Sequence, residues 1–237
     1  MTRPRAASQA LAARLDLARL CPDLELVISP VLRVERRQAE IPDAPAGLIF
    51  SSVNGVMQAA AGDLSRSLPV YTVGETTAQA ARDAGWSAET LGRTADELVA
   101  RLPDRAPATP LLHLHGVETR GDIARRLSEA GLPTESRVIY AQVPEPLSRA
   151  AHSALSGSCP VILPIFSPFS ARALLQGQIF AAPLHVIALS DAVAEAFHDI
   201  DMHSLHVCDN PTREAMETAL RATIRQFCRV ERRLGED

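Results

Sequence analysis

The sequence contains no lysine, so all 24 of its basic residues are arginine. Lysine forms the Schiff bases of pyridoxal enzymes and of aldolases, and it is the phosphate-binding side chain of a P-loop. The absence of lysine therefore excludes these three kinds of site.

Cysteine is scarce, and its spacing is uninformative. The four cysteines lie far apart in the sequence, with no Cys-x-x-Cys pair and no Cys/His spacing typical of a metal site. We therefore expect no metal and reduced thiols. Cys159 and Cys208, which lie beside predicted strands, are expected to be small buried residues.

The chain also lacks long apolar runs and an excess of positive charge. No window reaches the roughly 18 apolar residues that span a bilayer, and the start of the chain does not lead into an apolar signal core. With 237 residues and a net charge of -4, we expect a cytoplasmic globular protein of one or two domains. Neither nucleic acid nor membrane is an expected partner, and a monomer is predicted because no large apolar stripe is left over.

Six turns of one kind recur along the chain. In each, a short apolar run ends in a small hydroxyl residue or glycine and turns at once into a helical pattern: Ser51–Asn54, Gly74–Thr77, Gly116–Arg120, Ser167–Ser170, Ser190–Asp191 and Asn210–Thr212. Such turns present free backbone N–H groups and a positive helix end, which favour anionic ligands. The alternative for any single turn is an ordinary helix N-cap.

The order of the apolar runs predicts an α/β fold. Residues 6–20 are predicted as one helix and residues 24–34 as a strand interrupted by Pro30. From Leu48 onwards strands alternate with helices, a pattern typical of parallel sheets covered on both faces. Extended segments flanked by prolines separate two such series, so two domains are expected.

Several fragments in a fixed order resemble one known family. They are Thr2-Arg3-Pro4, Ile49-Phe50-Ser51-Ser52-Val53-Asn54-Gly55, Val73-Gly74-Glu75-Thr76-Thr77-Ala78, Gly116-x-x-x-Arg120, Val138-Ile139-Tyr140, Phe166-Ser167-Pro168-x-Ser170-Ala171, Ala188-Leu189-Ser190 and Pro211-Thr212. Each fragment is weak alone, but their order and spacing are similar to those of the uroporphyrinogen-III synthase family.

The resemblance implies two flavodoxin-like, doubly wound parallel-sheet domains joined by a two-stranded connector, with the active site in the cleft of this bilobed protein. Residues 1–34 and 144–237 would form a discontinuous domain, residues 36–137 an inserted domain, and about 31–35 and 138–143 the connectors. Family members usually carry a short apolar strand before Thr-Arg-Pro, so that strand is expected to be missing or very short here.

The resemblance also implies an activity. The family's enzymes are cyclising lyases of porphyrin and heme biosynthesis and need no cofactor. Their substrate, hydroxymethylbilane, is a linear tetrapyrrole with eight carboxylates that loses water and closes with its last ring inverted, through a spiro intermediate. Such a ligand suits many turns with free N–H groups.

The candidate substrate-binding residues belong to these turns or to the family motifs: Arg3, Ser51, Ser52, Asn54, Gly74, Thr76, Thr77, Gly116, Arg120, Ser167, Ser170 and Ser190. The arginines, with Arg93 and Arg172, could add two-pronged contacts to carboxylates, or they could be solvated surface charges. We expect positioning of the terminal ring, rather than strong acid–base chemistry, to determine the product.

Tyr140 is the candidate catalytic residue. In the family a tyrosine at this place on the connector faces the cleft, where its phenol could assist loss of the substrate hydroxyl. The alternative is an aromatic residue that packs on a domain.

Two other classes of protein remain open at this point. One is a non-catalytic two-domain protein that binds a small anion such as a polycarboxylate, and the other is a flavin or nucleotide binder, which the fold type alone suggests. His113 and His115 lie on one face of a strand, but no third ligand with suitable spacing accompanies them, so we expect histidines of the core or of the sheet surface rather than a metal site.

Overall fold

The computed structural model describes residues 1–119 and 121–234, with side chains up to Cys228. Spatial proximity divides the chain into two units. Val34–Val143 form what we call the central unit, and Met1–Arg33 together with Pro144–Asp237 form the outer unit. The chain therefore leaves the outer unit once and returns to it once.

Helices and strands alternate through most of the described chain. The helices are α1 (Arg5–Leu15), α2 (Leu17–Leu20), α3 (Val53–Ala60), α4 (Glu75–Asp83), α5 (Ala95–Arg101), α6 (Ile123–Glu129), α7 (Arg149–Ser156), α8 (Pro168–Leu175), α9 (Asp191–Ala194) and α10 (Arg213–Leu234). The strands are β1 (Leu32–Arg36), β2 (Gly47–Phe50), β3 (Pro69–Thr72), β4 (Ser87–Thr90), β5 (Leu111–Gly116), β6 (Thr134–Pro144), β7 (Val161–Ile165), β8 (Leu184–Ala188) and β9 (Ser204–Val207). Pro103–Arg105 and Glu195–Phe197 form 3₁₀ turns.

The central unit contains a sheet of six strands in the order β1-β6-β5-β2-β3-β4. The strands from β6 to β4 pair in parallel. Every residue of β2 and β5 is buried, as expected for central strands covered on both faces. One face carries the core of α3 and α4, with Val56 and Ala81, and the other carries the core of α5 and α6, with Leu98 and Leu127.

The outer unit contains a parallel sheet of three strands in the order β7-β8-β9. α7, α8 and α9 cover one face through residues such as Leu155, Leu174 and Val193. α1 and α10 cover the other face, where Leu11 packs with Met216. The expected α/β class with parallel, doubly wound sheets is confirmed.

The first thirty residues differ from the sequence-based expectation. The single helix predicted for residues 6–20 is broken at Asp16, whose φ of 51° is left-handed and ends α1. The strand predicted from Leu24 begins only at Leu32. Before it, the segment ahead of β1 bonds to the start of the chain: Ser29 N–H donates to Met1 O at 2.9 Å and Val31 N–H to Thr2 O at 3.2 Å.

The cysteine expectation is partly wrong. Cys21 and Cys228 form a disulfide although 207 positions separate them, because the packing of α1, α2 and α10 brings their Cα atoms within 6.0 Å. Cys208 is buried, as predicted, whereas Cys159 is exposed. The spacing rules miss this pair because they detect only cysteines that are near in sequence or patterned as ligands.

Candidate functional site

The strand order of the central unit reverses between β2 and β5. From β2 the chain continues to β3 and β4 on one side, and from β5 it continues to β6 on the other. In open parallel sheets a crevice forms where the order reverses, outside the carboxyl ends of the strands. The residues that follow β2 and β5, Ser51 and Val117, lie at this point, which we call the switch point.

A serine–histidine pair lies on the α5/α6 side of the switch point. Ser51 Oγ is 3.4 Å from Nε2 of His113, and the rings of His113 and His115 lie with centroids 4.7 Å apart and planes inclined by 31°. Burial, and secondarily the charge of His115, lowers the pKa of His113 to about 3, so this imidazole is neutral at pH 7. No group of three metal-ligating side chains occurs within the described residues. Ser51 and His113 therefore form a hydrogen-bonding pair where β2 ends.

The turn after β2 caps α3 in the predicted way. Ser52 is the N-cap, and its Oγ accepts a hydrogen bond from Asn54 N–H at 3.1 Å. One of the free N–H groups expected for a ligand is therefore used by the protein. In the described part of the chain, the N–H groups of Val53 and Gly55 keep no protein acceptor; Val53 is half-buried and Gly55 is buried.

Tyr140 lies on the opposite, α3/α4 side of the switch point. The register between β5 and β6 shifts at the end of β5: His115 pairs with Val138 but Gly116 pairs with Tyr140, so Ile139 is the extra residue of a bulge. The bulge places Tyr140 at the carboxyl end of β5. Its side chain is 6% exposed, and its hydroxyl bonds to no other described residue.

The turn after Gly116 is not of the predicted kind. The helix does not begin at once but only at Ile123, after a loop, and its N-cap is Asp122 with a left-handed φ of 43°. Gly116 is therefore not a helix N-cap and offers no helix N-terminus to a ligand. Arg120 lies outside the described residues.

The turn after β3 has open space beside its N-cap residue. Gly74 is the N-cap of α4, and a Cβ built on it would meet nothing within 4 Å. Its carbonyl accepts from Thr77 N–H at 3.1 Å, which leaves the N–H groups of Glu75 and Thr76 without partners among the described residues. Thr76 is exposed whereas Thr77 is 6% exposed, so only Thr76 presents its side chain to solvent.

An acidic side chain at this turn is already engaged. Glu75 accepts hydrogen bonds from Thr90 Oγ1 at 2.6 Å and from the Arg82 guanidinium. These bonds lower the pKa of Glu75, first through Thr90 and then through Arg82. The Glu75 carboxylate is thus bonded within the protein. It therefore repels a bound anion at this turn less than a free carboxylate would.

The outer unit carries the three other turns. Ser167 caps α8, accepting from Ser170 N–H at 3.1 Å and donating to Ser170 Oγ at 2.9 Å. Ser190 precedes α9 without a side-chain cap, but α9 has only four residues and begins with Asp191, so its end is a weak anion site. Thr212 Oγ1 accepts from Ala215 N–H at 3.2 Å at the start of α10.

Arg3 is the notable cation of the outer unit. Its guanidinium carbon lies 4.4 Å from the ring centroid of Phe166, next to the Ser167 turn. Burial, followed by the charges of Arg213 and Arg14, lowers the pKa of Arg3. Arg14 pairs with Glu217, but no described carboxylate pairs with Arg3. A half-buried guanidinium without an anion is a suitable partner for a ligand carboxylate.

Two features of this site were not predicted from sequence. The Ser51–His113 contact joins residues 62 positions apart, and the histidine was expected only to lie in the core or on the sheet surface. Strand alternation was the available signal. Ile49 pairs with His113, and Ser51, two residues after Ile49, lies on the same face of the sheet. The bulge at Ile139 left no signal in the sequence.

Fold and site together define a class: a doubly wound α/β protein whose polar turns follow buried parallel strands. A family model described as Uroporphyrinogen-III synthase HemD matches residues 21–217. The chain belongs to the uroporphyrinogen-III synthase family.

A solved structure agrees with this assignment in fold. The chain is similar to uroporphyrinogen-III synthetase from Helicobacter pylori 26695, with a TM-score of 0.61 and 22% identity over 80% of this chain and 90% of that chain. A mutant uroporphyrinogen III synthase from the extremely thermophilic bacterium Thermus thermophilus aligns over 98% of this chain and 95% of that chain, with 14% identity and a TM-score of 0.43. No curated protein matches the chain.

Proposed function

We propose that this chain is a cyclising lyase that converts hydroxymethylbilane to uroporphyrinogen III, with loss of water and inversion of the last pyrrole ring, and without a cofactor. The observation that carries the proposal is the family match over residues 21–217. Family membership also favours the synthase over a non-catalytic anion-binding protein and over a flavin or nucleotide binder.

The turns with free N–H groups support hydroxymethylbilane as the substrate. Hydroxymethylbilane carries eight carboxylates, and the free N–H groups of α3 and α4 are suitable donors for such groups. Each contact at an exposed helix end contributes only about 0.3–1 kcal/mol, so affinity depends on their number. Thr76 adds an exposed hydroxyl, and Arg3 adds a guanidinium that lacks an internal anion among the described residues.

The remaining predicted site residues take more limited roles in this proposal. The hydroxyls of Ser52 and Ser167 accept bonds from N–H groups of their own helices, so they shape the turns. The Ser52 hydroxyl keeps its hydrogen for a ligand, whereas Ser167 donates its hydrogen to Ser170 Oγ. Thr77 uses its N–H within α4 and is buried, so we propose that Thr76 makes the contact at this turn.

Tyr140 assists the loss of the substrate hydroxyl in this proposal. Its phenol lies at the carboxyl end of β5 and lacks a bond to the described protein, so its hydrogen is available to the departing hydroxyl. General acid assistance of this kind is worth about 10²–10⁴-fold. The Tyr140→Phe variant should therefore react about 10²–10⁴-fold more slowly than wild type and still form product.

Isomer analysis tests the proposed activity. The protein is incubated with hydroxymethylbilane, and uroporphyrinogens I and III are separated; the substrate closes unaided to the uninverted isomer I. An excess of isomer III is the expected result. Isomer I alone, at the rate of a protein-free control, would refute the proposal.

The Gly74 turn is tested in the same assay. Thr76→Ala removes the hydroxyl and keeps the N–H, and it should raise the KM about two- to fivefold, the equivalent of one lost hydrogen bond of about 0.5–1 kcal/mol. Thr109→Ala, which removes an exposed threonine hydroxyl just before the start of β5, at the opposite end of the parallel strands, is the matched control and should leave the KM unchanged. If alanine at both Thr76 and Thr77 left rate and isomer purity unchanged, positioning by this turn would be refuted.

We further propose that the two units are the two domains of the family, that the protein is a monomer and that it acts in the cytoplasm. No helix within the described ranges is both long and apolar enough to cross a membrane. Disulfides are rare in the cytoplasm, so Cys21–Cys228 is expected to be reduced there. Thiol trapping in intact cells and gel filtration of the purified protein test these statements.

A further inference from the structure

We propose that Gly116 is a positioning residue for Tyr140: the absence of a side chain at position 116 is the space that the phenol occupies. This inference rests on the proposed function, because it concerns the aim of the phenol in that reaction.

The close contact of the two residues carries the argument. A Cβ built on Gly116 would lie 2.6 Å from Cε2 and from Cζ of Tyr140, and 3.0 Å from its hydroxyl oxygen. Carbon atoms in contact normally keep about 3.5–4.0 Å. The ring therefore lies directly against the Cα of Gly116, and any side chain at this position would displace the end of the ring that carries the hydroxyl.

Backbone geometry gives no other reason for glycine at this position. Gly116 is not among the glycines with positive φ, so an L-residue could adopt its backbone conformation. It is also not a helix cap, because α6 begins only at Ile123. The phenol is the steric constraint that excludes a side chain here.

A second glycine lies near the opposite edge of the ring. A Cβ on Gly55, in the first turn of α3, would lie 3.0 Å from Leu114 O and 3.9 Å from Cε1 of Tyr140. The phenol thus lies between Gly116 at the end of β5 and the first turn of α3. The bulge at Ile139 is required as well, since Tyr140 reaches this place through the register shift.

A double-mutant cycle measures the coupling. Gly116→Ala should lower kcat at least tenfold, whereas in a Tyr140→Phe background the same substitution should lower kcat less than threefold, because the hydroxyl is already absent. Equal losses in both backgrounds would overturn the proposal, as would an unchanged kcat for Gly116→Ala. Gly47→Ala is the matched control: it adds a Cβ at 3.0 Å from Leu111 Cδ2 at the start of β2, far from the phenol in the sheet.

Fluorine NMR reports the ring itself and does not need activity. The chain has two tyrosines, so in a Tyr71→Phe background 3-fluorotyrosine labels Tyr140 alone. Gly116→Ala should shift the ¹⁹F resonance, and Gly47→Ala should not. An unshifted resonance overturns the proposal. If wild type formed no isomer III although Gly116→Ala shifted the resonance, the proposed function would fail while the steric relationship stood.

A further pair of variants covers the case in which Gly116→Ala does not fold. Tyr140→Ala removes the ring and leaves space for added phenol, which should restore part of the rate. In the double variant Tyr140→Ala/Gly116→Ala the new methyl group partly fills this space, so added phenol should restore less of the rate. Equal restoration in both variants would overturn the proposal.

Discussion

Nε2 of His113 lies 3.4 Å from the hydroxyl oxygen of Ser51, on a side chain that is 2% exposed. A neutral imidazole can donate or accept through this nitrogen, depending on its tautomer. When Nε2 carries the hydrogen, the Ser51 oxygen accepts it and the serine hydrogen is left for a ligand carboxylate. The contact thereby links a buried strand residue to a candidate binding residue.

The first prediction is a pH dependence of stability that originates at His113. The pKa is about 3 in the folded protein and about 6.5 in the unfolded chain. The unfolded state therefore binds more protons below pH 6.5, and the free energy of unfolding falls as the pH falls towards 3. Lowering the pH from 7 to 5 should reduce the free energy of unfolding by about 2 kcal/mol through this group. His113→Phe should show a shallower decline.

Urea unfolding at several pH values measures this difference. His152→Asn is the control, because His152 is exposed and its loss should leave the decline unchanged. If the free energy of unfolding declined equally with pH in wild type and in His113→Phe, His113 would not be the source of the pH dependence.

The second prediction separates the effect on substrate binding of the Glu75 N–H, in the Gly74 turn, from that of the Glu75 carboxylate. Glu75→Ala removes the carboxylate and should leave the KM unchanged or lower it. Glu75→Pro also removes the free N–H, and proline is tolerated at the first helical position. Gly74 has ψ of 139°, which suits a following proline. The KM of Glu75→Pro should exceed that of Glu75→Ala about two- to fivefold.

Circular dichroism of both variants checks that α4 is retained. Identical KM values in two folded variants would exclude a substrate contact with this N–H.

The third prediction concerns Arg3, which should contribute to binding but not to folding. Its guanidinium is partly desolvated and lies near Arg213 and Arg14 without a described anion. Arg3→Met should therefore keep or raise the melting temperature, because it removes repulsion, and it should raise the KM. Arg5→Met, on an exposed neighbouring arginine, should change neither quantity. Loss of stability without a change in KM would indicate a structural role for Arg3.

The fourth prediction concerns the disulfide, which closes a loop of 207 positions. A cross-link of this length should add about 2–5 kcal/mol to the free energy of unfolding. Cys228→Ser should lose that amount under oxidising conditions, and reductant should bring wild type to the same value. Cys159→Ser is the control, because Cys159 is exposed and unbonded. An effect of reductant on Cys228→Ser as large as on wild type would contradict the assignment.

The sequence predicted the regular part of the molecule well. Leu48–Phe50 is a continuous apolar run, and Leu111–Leu114 is apolar except for His113, because both faces of a parallel sheet are buried. Such strands are visible in sequence. Ser52 and Ser167 were identifiable as turns because capping is a local interaction between neighbouring residues. The resemblance to the family relied on these same local fragments.

Whatever depends on distant partners was decided by the tertiary structure. The position of Tyr140 depends on a register shift against β5, and its space depends on Gly116, 24 residues earlier in the chain. The Cys21–Cys228 bond and the Ser51–His113 contact join residues that only helix packing and strand pairing bring together. Local propensity and periodicity act over one or two turns of chain, so the sequence by itself determined the elements and their caps, while pairing register and packing decided which side chains meet.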